Sequence, residues 1–242
     1  MSASRLLTCG AGVVVALTLL VALSQAQAPE KKAKRRHVTA PEVSLKVQGH
    51  HPKPQDAAEK KIIDVLKGAF EHQSRGMGNV PPEDGRLLRM LTELIEAKSV
   101  VELGTSNGYS ALWFCLALRS TGGTLITHEM DPTRSAMTRA NFKRAGVEDL
   151  VTIVEGDVHK TIKNLSGPID VLFLDAEKEG FTGYLKQLLP LVRKGGLILA
   201  HDSSGQAHMM EEYFKAIAEN PNLETVFADA SYWGMAITRK RR

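Results

Sequence analysis

From Ser99 onward the chain alternates short apolar runs with stretches of helical period, and no other feature narrows its fold as much. The runs fall at 99–103, 124–128, 151–155, 171–174, 197–200, 223–227 and 233–238. Helical stretches lie near 108–119, 132–145, 158–165, 180–193 and 205–219. The earlier runs are almost unbroken Val, Ile and Leu, as in parallel strands whose two faces are both covered. This alternation predicts an α/β fold: a doubly wound, Rossmann-like sheet of seven mostly parallel strands with helices on both faces. No helical pattern separates the last two runs, so they should pair with each other and the last strand should run antiparallel.

Upstream, two more helices are expected. Ile62, Ile63, Val65, Leu66, Ala69 and Phe70 recur on one helical face. Pro81-Pro82-Glu83-Asp84 then opens a helix carrying Leu87, Leu88, Met90, Leu91, Leu94 and Ile95, since proline and acidic residues suit a first turn. The domain is therefore read as 56–242. Residues 27–55, rich in Lys, His and Pro, read as a linker without a core of its own. Before it, Arg5 precedes an apolar stretch that ends in small residues, the layout of a cleaved secretory signal peptide over 1–26, which predicts export. Lys31, Lys32, Lys34, Arg35 and Arg36 follow at once and favour the alternative, an uncleaved membrane anchor with its domain in the cytoplasm.

The net charge of +4 suggests a nucleic-acid partner until its placement is examined. Residues 1–61 hold 10 Lys/Arg against 4 Asp/Glu, whereas residues 62–238 hold 17 against 23, so the basicity sits in the tails. An acidic domain offers no ordered basic face, and no nucleic-acid partner is expected. Two cysteines, Cys9 and Cys115, exclude a disulfide scaffold and a multi-Cys zinc module. The sequence leaves a homodimer open.

In a sheet of this kind ligands bind beyond the carboxyl ends of the strands, and each polar motif falls at such an end. The first run leads into Glu102-Leu103-Gly104-Thr105-Ser106-Asn107-Gly108-Tyr109-Ser110, where Gly104 and Gly108 let the backbone turn sharply and come close to a ligand. A generic strand-to-helix turn would look similar, and the full dinucleotide glycine fingerprint is absent. Glu129 closes the second run and can accept hydrogen bonds from both hydroxyls of a ribose, unless it is merely a solvated strand end. Asp157 and Val158 follow the third run; Asp157 either reaches an adenine amino group or caps a helix. Asp175 leaves a buried run and needs a partner there. His201 and Asp202 end the next run and could converge with Asp175 on one divalent cation, or simply cap and satisfy local backbone.

Together these segments resemble the class I S-adenosylmethionine-dependent methyltransferases, and within them the cation-dependent O-methyltransferases of the catechol and caffeoyl-coenzyme A kind. The resemblance runs from about Val80 to the C-terminus and rests on the Glu102–Ser110 loop, Phe173-Leu174-Asp175-Ala176-Glu177-Lys178, and Arg193 to Ala200. It implies S-adenosyl-L-methionine as cofactor, with Val80, Glu102, Gly104, Gly108, Ser110, Glu129, Asp157, Val158 and Asp175 around it. It implies a divalent cation, Mg, Mn or similar, on Asp175, His201 and Asp202, and Lys178 as general base once its pKa is depressed by that cation or by desolvation. The family pattern has Asp-Asn where this chain has His201-Asp202, a set better suited to Mn, Fe or Zn than to Mg. Glu177 stands where the catechol enzyme stacks an aromatic on adenine, so that contact is lost or comes from elsewhere.

The implied reaction is methyl transfer to a hydroxyl of a small, catechol-like acceptor. Residues 71–82 and 203–210 and the Tyr232-Trp233 pair are the places where acceptor specificity is expected. Two rivals stand beside it: an NAD(P)-dependent oxidoreductase on a similar sheet, and an exported binding protein that keeps the fold without turnover.

Overall fold

The computed structural model describes residues 52–242. The signal or anchor expected at 1–26 and the linker up to residue 51 lie outside the described residues. The first helix, α1 (Ala57–Gln73), starts where Asp56 accepts a hydrogen bond from Glu59 N, so a side chain satisfies an otherwise orphan donor. It buries Ile62, Ile63, Leu66 and Ala69, while Phe70 stays partly exposed. The helix α2 (Pro82–Leu94) begins at the expected proline. Only Leu88 of its apolar residues is fully covered; Met90 and Leu94 face out, so the apolar stripe is wider than the surface it packs on.

The sheet holds seven strands: β1 (Ser99–Leu103), β2 (Thr124–Glu129), β3 (Val151–Glu155), β4 (Ile169–Leu174), β5 (Val192–His201), β6 (Leu223–Ala228) and β7 (Met235–Lys240). Their order is β3-β2-β1-β4-β5-β7-β6, with β1 to β5 parallel and β7 antiparallel to both its neighbours. The order reverses between β1 and β4, the switch point at which such sheets open a crevice. Alternate residues of the strands feed two cores. Val100, Phe173 and Leu199 pack under α1, α2 and α3 (Tyr109–Thr121). Val101, Leu172 and Ile198 pack under α6 (Phe181–Leu188) and α7 (Glu211–Glu219). Phe142 and Ala145 of α4 (Pro132–Ala145) join the first core, and Val158 of the single turn α5 (Val158–Thr161) joins the second.

Several expected boundaries move. The stretch expected at 158–165 is one α-turn followed by a 3-10 turn, Ile162–Asn164. The stretch near 180–193 stops at Leu188, and β5 starts at Val192 rather than 197 because Val192 already pairs with Ile169. The stretch near 205–219 splits into a 3-10 turn, Ala207–Met209, and α7. The last strand starts at Met235, after Gly234 takes a left-handed φ of 71°. Cys115 is a buried free thiol. Among the described residues no helix is long and apolar enough to cross a membrane.

Candidate active site

The crests of β1 and β4 meet through one glycine. Gly104 has φ 98°, and a Cβ there would lie 2.4 Å from the Asp175 carbonyl oxygen, so any side chain would force the two strand ends apart. Gly104 and Thr105 donate their N–H groups to His128 O, which ties the loop to β2 as well. Gly108, at φ 82°, stands against Phe142 of α4 and starts α3.

Beside this loop lies a cavity of about 700 Å³. Every expected site residue lines it except Glu102, Gly108 and His201. Glu102 is fully buried: Ser110 Oγ and Thr127 Oγ1 donate to its two oxygens, each at 2.6 Å. Burial outweighs those hydroxyls and pushes its pKa up to about 8. The sequence reading placed Glu102 against the cofactor; in the structure it lies behind Ser110 and holds the loop to β2 from beneath.

Glu129 reaches the cavity, but with less capacity than expected. Its Oε2 accepts from Ser106 N at 2.7 Å, and its Oε1 accepts from Met130 N and Asp131 N at 3.0 and 2.9 Å. A carboxylate has about four acceptor positions, so one remains, enough for a single ribose hydroxyl rather than two. Asp157 does what a helix cap does: its Oδ1 accepts from His159 N at 2.9 Å.

At the far side of the β1/β4 crest four charged groups converge. Lys178 Nζ lies 3.0 Å from Asp175 Oδ1 and 2.8 Å from Asp202 Oδ2. His201 Nδ1 lies 3.5 Å from Asp175 Oδ1 and 3.2 Å from Asp202 Oδ1. Asp202 reaches this position with its backbone at φ 64°, a left-handed conformation that few residues other than glycine adopt. Burial works against the charges of Lys178, His201 and Asp202, yet the opposite charges win. Burial pulls Lys178 down, but Asp175 and Asp202 hold its pKa above the ordinary lysine value. Burial likewise opposes the His201 cation, which Asp175, Asp202 and Asp84 hold well above the usual imidazole range. The expectation that Lys178 has a depressed pKa therefore does not describe these residues by themselves. One ligand atom each from Asp175, His201 and Asp202 lies within 4.8 Å of the others, a spacing and a donor set that fit one divalent cation.

Several cavity residues escape a reading by motif. Tyr184 and His159 form a ring pair, centroids 4.9 Å apart, on the cavity wall. Tyr184 donates its hydroxyl to Glu177, and His159 Nε2 lies 2.9 Å from the same carboxylate. Tyr184 is fully buried, and from its spacing it reads as a core residue of a helix. Asn79 lines the cavity with neither amide atom hydrogen-bonded, and His128 keeps Nε2 without a partner. Burial holds the His128 pKa down, at about 4, so its ring is neutral. Buried polar atoms without partners on a cavity wall suit a polar ligand such as a nucleoside.

Residues 54–230 match the family model described as O-methyltransferase. The chain belongs to that family. Among its relatives, the catechol O-methyltransferase of Niastella koreensis is 37% identical over 138 residues, which are 55% of this chain and 62% of that protein. The catechol O-methyltransferase of Mycobacterium tuberculosis is 32% identical over 159 residues, 60% of this chain and 71% of that one. In fold, the chain superposes on the O-methyltransferase of Bacillus cereus, solved in complex with SAH, with a TM-score of 0.70 over 82% of this chain and 97% of that one, at 23% identity. Membership of this family sets aside the oxidoreductase reading.

Proposed function

We propose that this chain transfers the methyl group of S-adenosyl-L-methionine to a hydroxyl of a small catechol-like acceptor, assisted by a divalent cation on Asp175, His201 and Asp202. The placement of Asp175, Asp202 and Lys178 on the wall of the cavity that Gly104, Ser110 and Glu129 also line, with His201 Nδ1 within 3.5 Å of both carboxylates, carries the reading. The names of the two bacterial relatives support the acceptor class.

In this reading Gly104 and Ser110 shape the methionine end, and Glu129 Oε2 takes one ribose hydroxyl. Asp157, Val158 and the Tyr184–His159 pair flank the adenine. Glu102 keeps the loop in place and touches neither reactant. A sulfonium methyl needs its nucleophile in line at about 3 Å, so alignment supplies most of the rate. A phenol with a pKa of about 10 is mostly un-ionised at neutral pH. A bound cation would lower the pKa of a hydroxyl it ligates and, by its charge, that of Lys178. Lys178 Nζ then receives the acceptor's proton, and the neighbouring Asp175 and Asp202 stabilise the ammonium that results.

The test is methyl transfer by the full chain from labelled S-adenosyl-L-methionine to catechol with Mn²⁺ or Mg²⁺ present, read as mono-methylated product by mass spectrometry. Asp175→Ala is expected to lower the rate at least about 10²-fold, as loss of a group that orders the transition state does. Equal turnover in that variant would refute the metal-assisted step. S-adenosylhomocysteine binding without transfer to any diphenol would favour the non-catalytic binding protein.

A further inference from the structure

His201 is the only nitrogen donor in the proposed cation site, and an imidazole binds metal only through a ring nitrogen free of hydrogen. Its other nitrogen, Nε2, lies 2.9 Å from Asp84 Oδ2. That same oxygen accepts a hydrogen bond of 2.6 Å from Ser231 Oγ, which in turn accepts from Trp233 N at 3.1 Å. Asp84 sits in the first turn of α2, fully buried. A carboxylate can only accept, so Nε2 carries a hydrogen; Nδ1, which faces Asp175 and Asp202, carries the second hydrogen of the imidazolium in the metal-free chain and is the nitrogen that a divalent cation would take in its place.

On the metal-assisted reading above, we propose that Asp84 is a positioning residue that fixes the tautomer and orientation of His201 for a mixed nitrogen–oxygen cation site. Histidine ligands almost always donate their other ring N–H to a carboxylate, a backbone carbonyl or a water, and loss of such an outer partner weakens metal binding. Stability alone gives little reason for the arrangement. Asp84 Oδ1 has no hydrogen-bond partner, and a buried carboxylate left half satisfied is less favourable than a well-packed apolar residue. Neither Asp84 nor Ser231 belongs to a motif at a strand end; α2 and the loop between β6 and β7 bring them there. Because Ser231 precedes Tyr232 and Trp233, where acceptor specificity is expected, one carboxylate links that loop to the cation ligand.

The experiment titrates the metal-free full chain with Co²⁺, Mn²⁺ and Mg²⁺ by calorimetry, following Co²⁺ also by its visible absorption. Wild type is expected to bind Co²⁺ and Mn²⁺ more tightly than Mg²⁺. Asp84→Ala should weaken Co²⁺ and Mn²⁺ about 10–100-fold, the range seen for lost outer-shell partners. Asp84→Asn, whose amide oxygen still accepts from Nε2, should recover most of that loss. A second readout needs no variant: in the wild-type chain, imidazole ¹⁵N resonances should show Zn²⁺ on His201 Nδ1 with Nε2 protonated. Affinity of Asp84→Ala within twofold of wild type, or Zn²⁺ on Nε2, overturns the proposal while leaving the cation site intact. Failure of wild type to bind any of these ions at millimolar concentration overturns the metal-assisted reading, and this proposal with it.

Discussion

Both oxygens of Glu102 are occupied by hydroxyls, from Ser110 and Thr127, with no water-facing surface left. With its pKa pushed from 4.5 to about 8, the native state keeps a proton that the unfolded chain releases. Glu102 therefore favours folding fully at low pH, and that contribution declines as pH rises through this window, by at most about 1.4 kcal/mol per pH unit. Glu102→Gln, which cannot ionise, should flatten the fall in stability of the ligand-free chain between pH 5 and 8, as measured by denaturant titration. An unchanged slope would contradict the buried, proton-bearing carboxyl described here. At this scale the sequence was legible in part. Glu102, Gly104 and Ser110 read as one ligand loop, but the hydroxyl that captures Glu102 from β2 belongs to Thr127, which no local spacing connects to it. Glu129 was read as free for two ribose hydroxyls because the three N–H groups around it come from turns whose geometry is invisible in the letters.

Among the elements, α1 and α2 have opposite tolerance for an added methyl group. A Cβ on Gly68 of α1 would meet nothing within 4 Å, whereas one on Gly85 of α2 would lie 2.2 Å from Trp113 Nε1 on α3. Gly68→Ala should stabilise the chain by about 0.5–1 kcal/mol, since it removes unfolded-state freedom at no steric cost. Gly85→Ala should destabilise it by about 1–3 kcal/mol through overpacking. Urea unfolding of the two variants checks the signs, and equal signs would mean that α2 and α3 do not pack as closely as described. The existence of these elements was readable from apolar period and from punctuation such as Pro81-Pro82. Their ends were less so. β5 extends back to Val192 because its partner strand is there to pair with it, and Val192 to Gly196 carry no strand pattern of their own.

For the whole molecule, strand order decides where the chemistry is. The reversal between β1 and β4 brings Gly104 to Asp175, and β5, next to β4, adds His201 and Asp202. Alternating runs predicted the doubly wound sheet and its antiparallel end, and strand-end motifs predicted most of the cavity wall. Asp84, Tyr184 and His159 were not readable, because each reaches the site from an element whose sequence pattern is fully explained by packing; Asn79 lies in the 71–82 segment expected at the acceptor site, but nothing in the sequence singled it out there. The most direct test of a nucleoside-sulfonium site at this crest is calorimetric titration of the full chain with S-adenosylhomocysteine, with NAD titrated alongside. Saturable binding of one S-adenosylhomocysteine per chain, with none of NAD, is the predicted result. A folded chain that shows no saturable binding of S-adenosylhomocysteine, or that prefers NAD, would contradict it.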